Sequence, residues 1–322
     1  MNAPVNERAA SRGVARPLGL VAVLGAIVSF SISYALVKWA RTPGSVVAFW
    51  RMVGAAVLWW VLLAGRRART GTPFPTAATW KRMLVPALFF GINIAVLFTA
   101  VTKTSVAHSE FITSLSPLLL VPAGAVVFKE RPDWTAMRWG GLSVVGIVIV
   151  LFLGPAKGAA TVGGDLLMIV VLAVWVSYLL TSKHARTAGV DTFDFMACLM
   201  PLGLLTTTPI TFVIAGDEIW PLSGRGWFVV AVLSVLTGMV AHGLLAYAHR
   251  TVPIATVGVL QVGQPALSVM WAWLIVGETI SFAQVPGMAL VILGLALFVV
   301  TSQRRAGPAA DVTQPLPDLS AH

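Results

Sequence analysis

Ten stretches of mostly apolar residues follow one another along the chain, separated by short polar segments rich in Gly, Pro, Lys and Arg. They run over 18–39, 45–65, 82–102, 105–128, 135–153, 163–182, 192–215, 226–249, 253–276 and 281–301. Crossing the hydrocarbon layer takes about 20 residues at roughly 1.5 Å each, so every stretch predicts one membrane-spanning helix. Helix is the conformation that fits, because the strands of a membrane barrel are far shorter. The least secure spans are the tight pair over 82–128 and the stretch 192–215, which Pro201 and Pro209 interrupt.

Composition agrees with the pattern. The chain is 57% hydrophobic and 11% charged with a mean hydropathy of +0.88, whereas a soluble domain carries about 25% charged residues. Twelve tryptophans against three tyrosines suit aromatic anchors at a lipid interface. The single cysteine, Cys198, excludes an intrachain disulfide framework and a thiolate metal site. The chain therefore reads as an all-α integral membrane protein of ten transmembrane helices.

A net charge of +10 raises nucleic acid as a partner, but the basic residues sit in short clusters between apolar runs, as membrane loops do. With the N-terminus in the cytoplasm, sixteen of the 22 Lys and Arg residues fall in cytoplasmic segments and five outside, with Arg51 left inside a span. That asymmetry predicts both termini in the cytoplasm and a place in the cytoplasmic membrane. Residues 1–17 form a cytoplasmic tail, and 302–322, rich in Pro and Ala, read as a disordered one. A cleaved signal peptide is not expected, because the first apolar run ends in Lys38 and Arg41 rather than in a small-residue cleavage site.

An internal repeat sets the organisation. Displaced by 148 residues, Leu97, Ala100, Ala107, Pro117, Glu130, Leu142 and Gly146 match Leu245, Ala248, Ala255, Pro265, Glu278, Leu290 and Gly294. Upstream, "ARTPG" at 40–44 matches "ARTAG" at 185–189. A shared Pro, Glu and Gly at fixed spacing exceeds what two apolar sequences share by composition. The halves are 18–153 and 163–301, joined by a linker over 154–162. Five spans per half is an odd number, so the second half enters the membrane inverted, an architecture of many secondary transporters.

The segment "TSVAHSEFITSLSPLLLVPAGAVVFKERPDWTAMRWGGLSVVGIVIVLF" resembles the end of an EamA-type repeat of the drug/metabolite transporter superfamily. "VPIATVGVLQVGQPALSVMWAWLIVGETISFAQVPGMALVILGLALFVV" looks like the second copy, with its Gly-Glu junction at Gly277 and Glu278; the first copy has Lys129 where glycine is usual. The resemblance covers about residues 18 to 301 and implies export of amino acids or related metabolites, or efflux of drugs. An arginine in span 2 of that family resembles Arg51.

Several polar residues stand where charge or polarity is expensive. Arg51 and Glu110 lie at comparable depth in spans 2 and 4. They pair with each other, face a central cavity and bind substrate, or snorkel to the outer surface; Glu110 is also a proton-coupling candidate. His242 in span 8 is a hydrogen-bonded helix contact, or a proton relay or substrate contact. His108 and Glu110, two apart, share no helical face, and His108 suits the outer interface. Asn93, Gln261 and Gln264 suit interhelical hydrogen bonds or substrate contact. Tyr34, Trp175 and Tyr178, on the first helices of the two halves, are cavity-wall candidates. Glu130, Arg131, Asp165 and Glu278 read as loop or cap anchors, Asp191 as a helix cap and Asp194 as solvated. Gly287 and Gly294 suit close helix packing, and Pro117 and Pro265 suit bends.

The expected function is a secondary transporter of a small organic solute in the bilayer, with protons as candidate partners and a homodimer left open. No phosphate loop, zinc motif or intramembrane-protease motif is present, so neither a cofactor nor catalysis is expected. A channel or scaffold is the alternative class. A zwitterion calls for both Arg51 and Glu110; a lipophilic cation calls for Glu110 with Tyr34 and Trp175.

Overall fold

In the computed structural model the described residues are 17–128, 134–153, 160–252, 257 and 260–306. Thirteen α-helices account for most of them: α1 (Pro17–Ser31), α2 (Ser33–Trp39), α3 (Gly44–Thr70), α4 (Ala77–Val101), α5 (Val106–Thr113), α6 (Ser116–Phe128), α7 (Trp134–Phe152), α8 (Val162–Thr187), α9 (Thr192–Ala215), α10 (Gly224–Val235), α11 (Ala241–Thr251), α12 (Gln264–Val276) and α13 (Val285–Ala306). A π-helical segment, Leu236–Val240, joins α10 to α11. Side chains of Thr76, Ser105, Thr161, Asp191 and Ser223 cap α4, α5, α8, α9 and α10, each accepting a hydrogen bond from a first-turn N–H. Asp191 is thus the cap its position suggested.

Among the described residues nine helical segments are long and apolar enough to cross a membrane, and the shorter α12 is a tenth apolar helix. The chain is a multi-pass membrane protein. The stretch predicted over 253–276 is helical at Val257, Leu260 and Gln261 and continuously from Gln264, while residues 253–256 and 258–259 lie outside the description. So do residues 1–16 and 307–322 of the two tails, and Glu130 and Arg131, whereas residues 302–306 of the segment expected to be disordered continue α13 as helix. The stretch with two prolines is one unbroken helix, α9. Pro201 cannot donate to the carbonyl of Ala197, and the indole Nε1 of Trp60 takes that acceptor instead at 2.9 Å.

The inverted repeat is visible in the packing. Equivalent helices α7 and α13 form a closely packed pair. Ser143 Oγ donates to the carbonyl of its own repeat-mate, Val291, at 3.2 Å. To one side Gly146 lies against Gly287; to the other Gly294 lies against the carbonyl of Trp139, the repeat-mate of Gly287. Rising numbers on α7 meet falling numbers on α13, so the equivalent helices run antiparallel and a pseudo-two-fold axis passes between Ser143 and Val291. A Cβ on Gly146 would stand 2.6 Å from the Gly287 carbonyl oxygen, and one on Gly287 would stand 2.7 Å from that of Gly146. Only glycine lets the two backbones approach this closely.

Contacts away from the axis obey the same symmetry. Helix α4 packs on α8 and α9 of the other half, and their repeat-mates answer, the third span of the second half packing on α1 and α3. Helices α5 and α6 pack on α8, and α12 packs on α1 and α2. Equivalent helices α3 and α9 also pair, tied at one end by Arg66–Asp191 at 2.5 Å and Arg67–Asp194 at 2.6 Å. Asp194 is therefore ion-paired, not simply solvated.

The breaks in the spans fall at related places. The fourth span turns at Ser114–Leu115, just before Pro117, and the ninth turns at Val262–Gly263, just before Pro265. Each proline removes one rung of its helix and leaves the carbonyl four residues back, Thr113 or Gln261, without an intrahelical donor. The first span turns at Ile32, flanked by Ser29, Ser31 and Ser33, whose hydroxyls donate to carbonyls three or four residues back. Irregular backbone inside a membrane is tolerated where it is buried in protein or lines a cavity. These bends bring spans 1, 4 and 9 together around Glu110.

Candidate functional site

Glu110 sits near the end of the short helix α5, one turn before the break, and is 3% exposed. Its Oε1 accepts a hydrogen bond from Ser268 Oγ on α12 at 2.7 Å, and Gln264, one turn earlier on α12, approaches the same carboxylate. Tyr34 on α2 approaches the Thr113 hydroxyl and lies within electrostatic reach of Glu110. Nearby, Trp271 Nε1 donates to Ser31 Oγ at 3.2 Å and joins α12 to the bend in span 1. One carboxylate is thus held between both repeats by neutral partners. A hydroxyl and a carboxamide can each donate or accept, so they suit the carboxylate in either protonation state, as a guanidinium would not.

Arg51 forms a separate centre. It is also 3% exposed, and it turns toward the π-helical segment of the eighth span. Its Nε donates to Thr237 Oγ1 at 3.1 Å, its guanidinium carbon lies 5.6 Å from the Phe98 ring centre, and its backbone carbonyl accepts from Ser234 Oγ at 3.2 Å. Among the described residues no carboxylate pairs with it, and its Nη1 has no hydrogen-bond acceptor. The Arg51–Glu110 ion pair is therefore not formed: each side chain has turned to hydroxyl partners on a different helix. A π-helical turn offsets the side chains around it, and such turns are frequent at functional sites.

His242 belongs to the Arg51 centre. Its Nδ1 lies 2.7 Å from the Thr237 carbonyl, which can only accept, so Nδ1 carries a proton and the ring is anchored. Phe30 packs against its edge at 5.4 Å.

The remaining candidates divide. Asn93 donates to the Val171 carbonyl at 3.0 Å and holds α4 to α8, the interhelical role its residue type allowed. Trp175, Tyr178 and Phe90 form an aromatic cluster with ring centres 5.0 and 5.1 Å apart. No ring contact or hydrogen bond joins that cluster to Glu110 among the described residues. Gln261 is half-buried beside the Val262–Gly263 turn. His108 is buried rather than interfacial: its Nδ1 lies 3.1 Å from both Asp165 carboxylate oxygens, and Gln284 covers its other nitrogen.

Sequence reasoning missed Ser268 and Thr237. Ser268 had a signal, since it stands four residues after Gln264 and so shares its helix face. Thr237 had none, because a π-turn has no sequence signature in a single apolar run. Outside the spans, Asp191 titrates below the ordinary carboxylate range. Its partial burial works against that, and the Arg66 guanidinium and two backbone N–H groups outweigh it. Its contribution to stability is present above the ordinary carboxylate pKa and lost as pH falls through the lowered one; exposure keeps it small.

Two inverted five-helix repeats around a buried carboxylate and a buried guanidinium define a membrane carrier. The EamA-like transporter family matches residues 17–152 and again 162–300, and the chain belongs to it. The threonine/homoserine exporter RhtA of Salmonella typhimurium is 23% identical over 219 residues, 66% of this chain and 70% of its own. An uncharacterized transporter of Synechocystis, sll1164, is 24% identical over 246 residues, 72% of this chain and 68% of its own. A protein of known crystal structure superposes over 90% of this chain and 99% of its own, with a TM-score of 0.61 at 20% identity, a likeness of fold alone.

Proposed function

We propose that the protein exports a small zwitterionic metabolite, an amino acid such as threonine or homoserine, across the cytoplasmic membrane. The observation that carries this reading is the separation of Arg51 from Glu110: a carboxylate and a guanidinium are both buried in the bundle, and neither neutralises the other. A zwitterion supplies the complement of each. Glu110 takes the ammonium group, with Ser268 and Gln264 fixing the carboxylate and Tyr34 beside it. Arg51 takes the carboxylate through the nitrogen that lacks an acceptor. The names of the RhtA relatives support the amino-acid class and the outward direction.

The charge asymmetry of the loops supports an orientation with both termini in the cytoplasm and the Lys38 end of the bundle outside. A proton and a substrate amine compete for Glu110, so proton entry can drive substrate exit through the same carboxylate. Purified full-length protein in detergent tests the substrate class by thermal shift. Threonine and homoserine are expected to raise the melting temperature, because a ligand at a hundred times its Kd stabilises by about 2.7 kcal/mol. Stabilisation by quaternary-ammonium dyes but not by amino acids would instead favour the efflux of lipophilic cations.

A further inference from the structure

Above Glu110, toward the Lys38 end, lies a polar layer that substrate binding does not use. Glu278 follows the left-handed C-cap Gly277 at the end of α12 and faces back across the repeat interface. Its Oε1 is ion-paired with Lys38 Nζ, at the end of α2, and its Oε2 accepts from the backbone N–H of Val106 at 2.9 Å. Lys38 Nζ also donates to the Thr104 carbonyl at 2.6 Å. Val106 is the first residue of α5, the eight-residue helix that carries Glu110 one turn further on. A carboxylate at that terminus satisfies an orphan donor and complements the helix dipole.

The rest of the layer holds the same mouth. Thr104 Oγ1 donates to Asp165 at the head of α8, and Asp165 holds His108. Gln284, beside the start of α13, contacts His108 and donates to the Val150 carbonyl of α7 at 3.0 Å. The residues from Thr104 to Ile112 are all buried. Spans 1 and 9 meet there at the Lys38–Glu278 ion pair, and both of its members hydrogen-bond the head of span 4.

We infer that Lys38 and Glu278 form the outer latch of the carrier, and that Glu278 acts as a positioning residue coupling closure of that mouth to the placement of Glu110 on α5. Separating α12 from α2 breaks the ion pair and at the same step removes the cap from the helix that presents the carboxylate. The mouth therefore opens only as the Glu110 helix is released, which is the coupling an alternating-access carrier needs. Lys38 contributes charge pairing, whereas Glu278 contributes pairing and the cap. The inference rests on the Glu110 site and the orientation proposed above.

Its test reads accessibility without any substrate. In the full chain carrying Cys198→Ser, Thr113→Cys places a thiol beside Tyr34, on the Glu110 side of the latch. Membrane-impermeant maleimide is applied to right-side-out and to inside-out vesicles. Lys38→Met and Glu278→Gln are each expected to raise labelling from the Lys38 side about tenfold, the effect of one lost ion pair of about 1.4 kcal/mol, and to lower it from the other side. Because both remove one interaction, the double variant should label no faster than the faster single one. Glu278→Asp, which keeps the charge, should return labelling toward the parent rate. Unchanged labelling, additive effects, or a rise from both faces, the mark of general loosening, would overturn the latch. Any of these outcomes leaves the substrate class to be decided by the thermal shifts.

Discussion

Replacing Glu110 with Gln lowers affinity for threonine or homoserine by about ten- to a hundredfold, because a hydrogen bond to a charged group is worth about 1.5–3 kcal/mol. Isothermal titration in detergent measures the loss. The substitution keeps the shape of the side chain and leaves an oxygen able to accept from Ser268, so the bend between α5 and α6 and the packing on α12 should persist. The melting temperature without ligand should stay close to that of the parent. It also removes the titrating group, so any dependence of transport on a proton gradient should vanish with it. Retained affinity in Glu110→Gln would mean that the carboxylate only joins α5 to α12, and that the amine binds elsewhere.

The second large effect is expected at Arg51, where stability and function should part. A buried charge without a counter-ion is costly in a membrane, by roughly 2.5 kcal/mol or more. Arg51→Met fills a similar volume without that cost, so the melting temperature should stay level or rise. Affinity for an amino acid should fall by about tenfold or more, the order of one charge-assisted bond. Affinity for the matching amine without a carboxylate should not change. Arg51→Lys keeps the charge but not the fork that reaches Thr237 and the ligand together, so it should recover little. A destabilised Arg51→Met with unaltered affinity would make Arg51 a structural tie between α3 and the eighth span.

Much of the architecture was legible because each feature has a physical signature in one sequence. Span length follows from bilayer thickness, and all ten stretches have apolar helices, although the ninth is continuously described as helix only from Gln264. The repeat showed itself through residues with little freedom to vary: Gly146 and Gly294 at the tight α7–α13 crossing, and Pro117 and Pro265 at the bends. Side-chain partners were less legible. Depth along two spans suggested that Arg51 and Glu110 could meet, but depth fixes neither the rotation of a helix nor which neighbour it faces. The rotation sends one to Thr237 and the other to Ser268. His108 and Glu278, read from position as interface and anchor, became parts of one polar layer because the inverted repeat brings the end of α12 over the start of α5.

The central claim is that one substrate molecule carries the complement of both buried charges. Counterflow of labelled threonine in proteoliposomes, challenged with unlabelled analogues, tests it most directly. Threonine should compete fully, while the amino alcohol lacking the carboxylate and the hydroxy acid lacking the amine should each compete at least about tenfold less well. Equal competition by the amine without a carboxylate would contradict the account, because it would leave Arg51 no part in recognition and make the protein a carrier of cations.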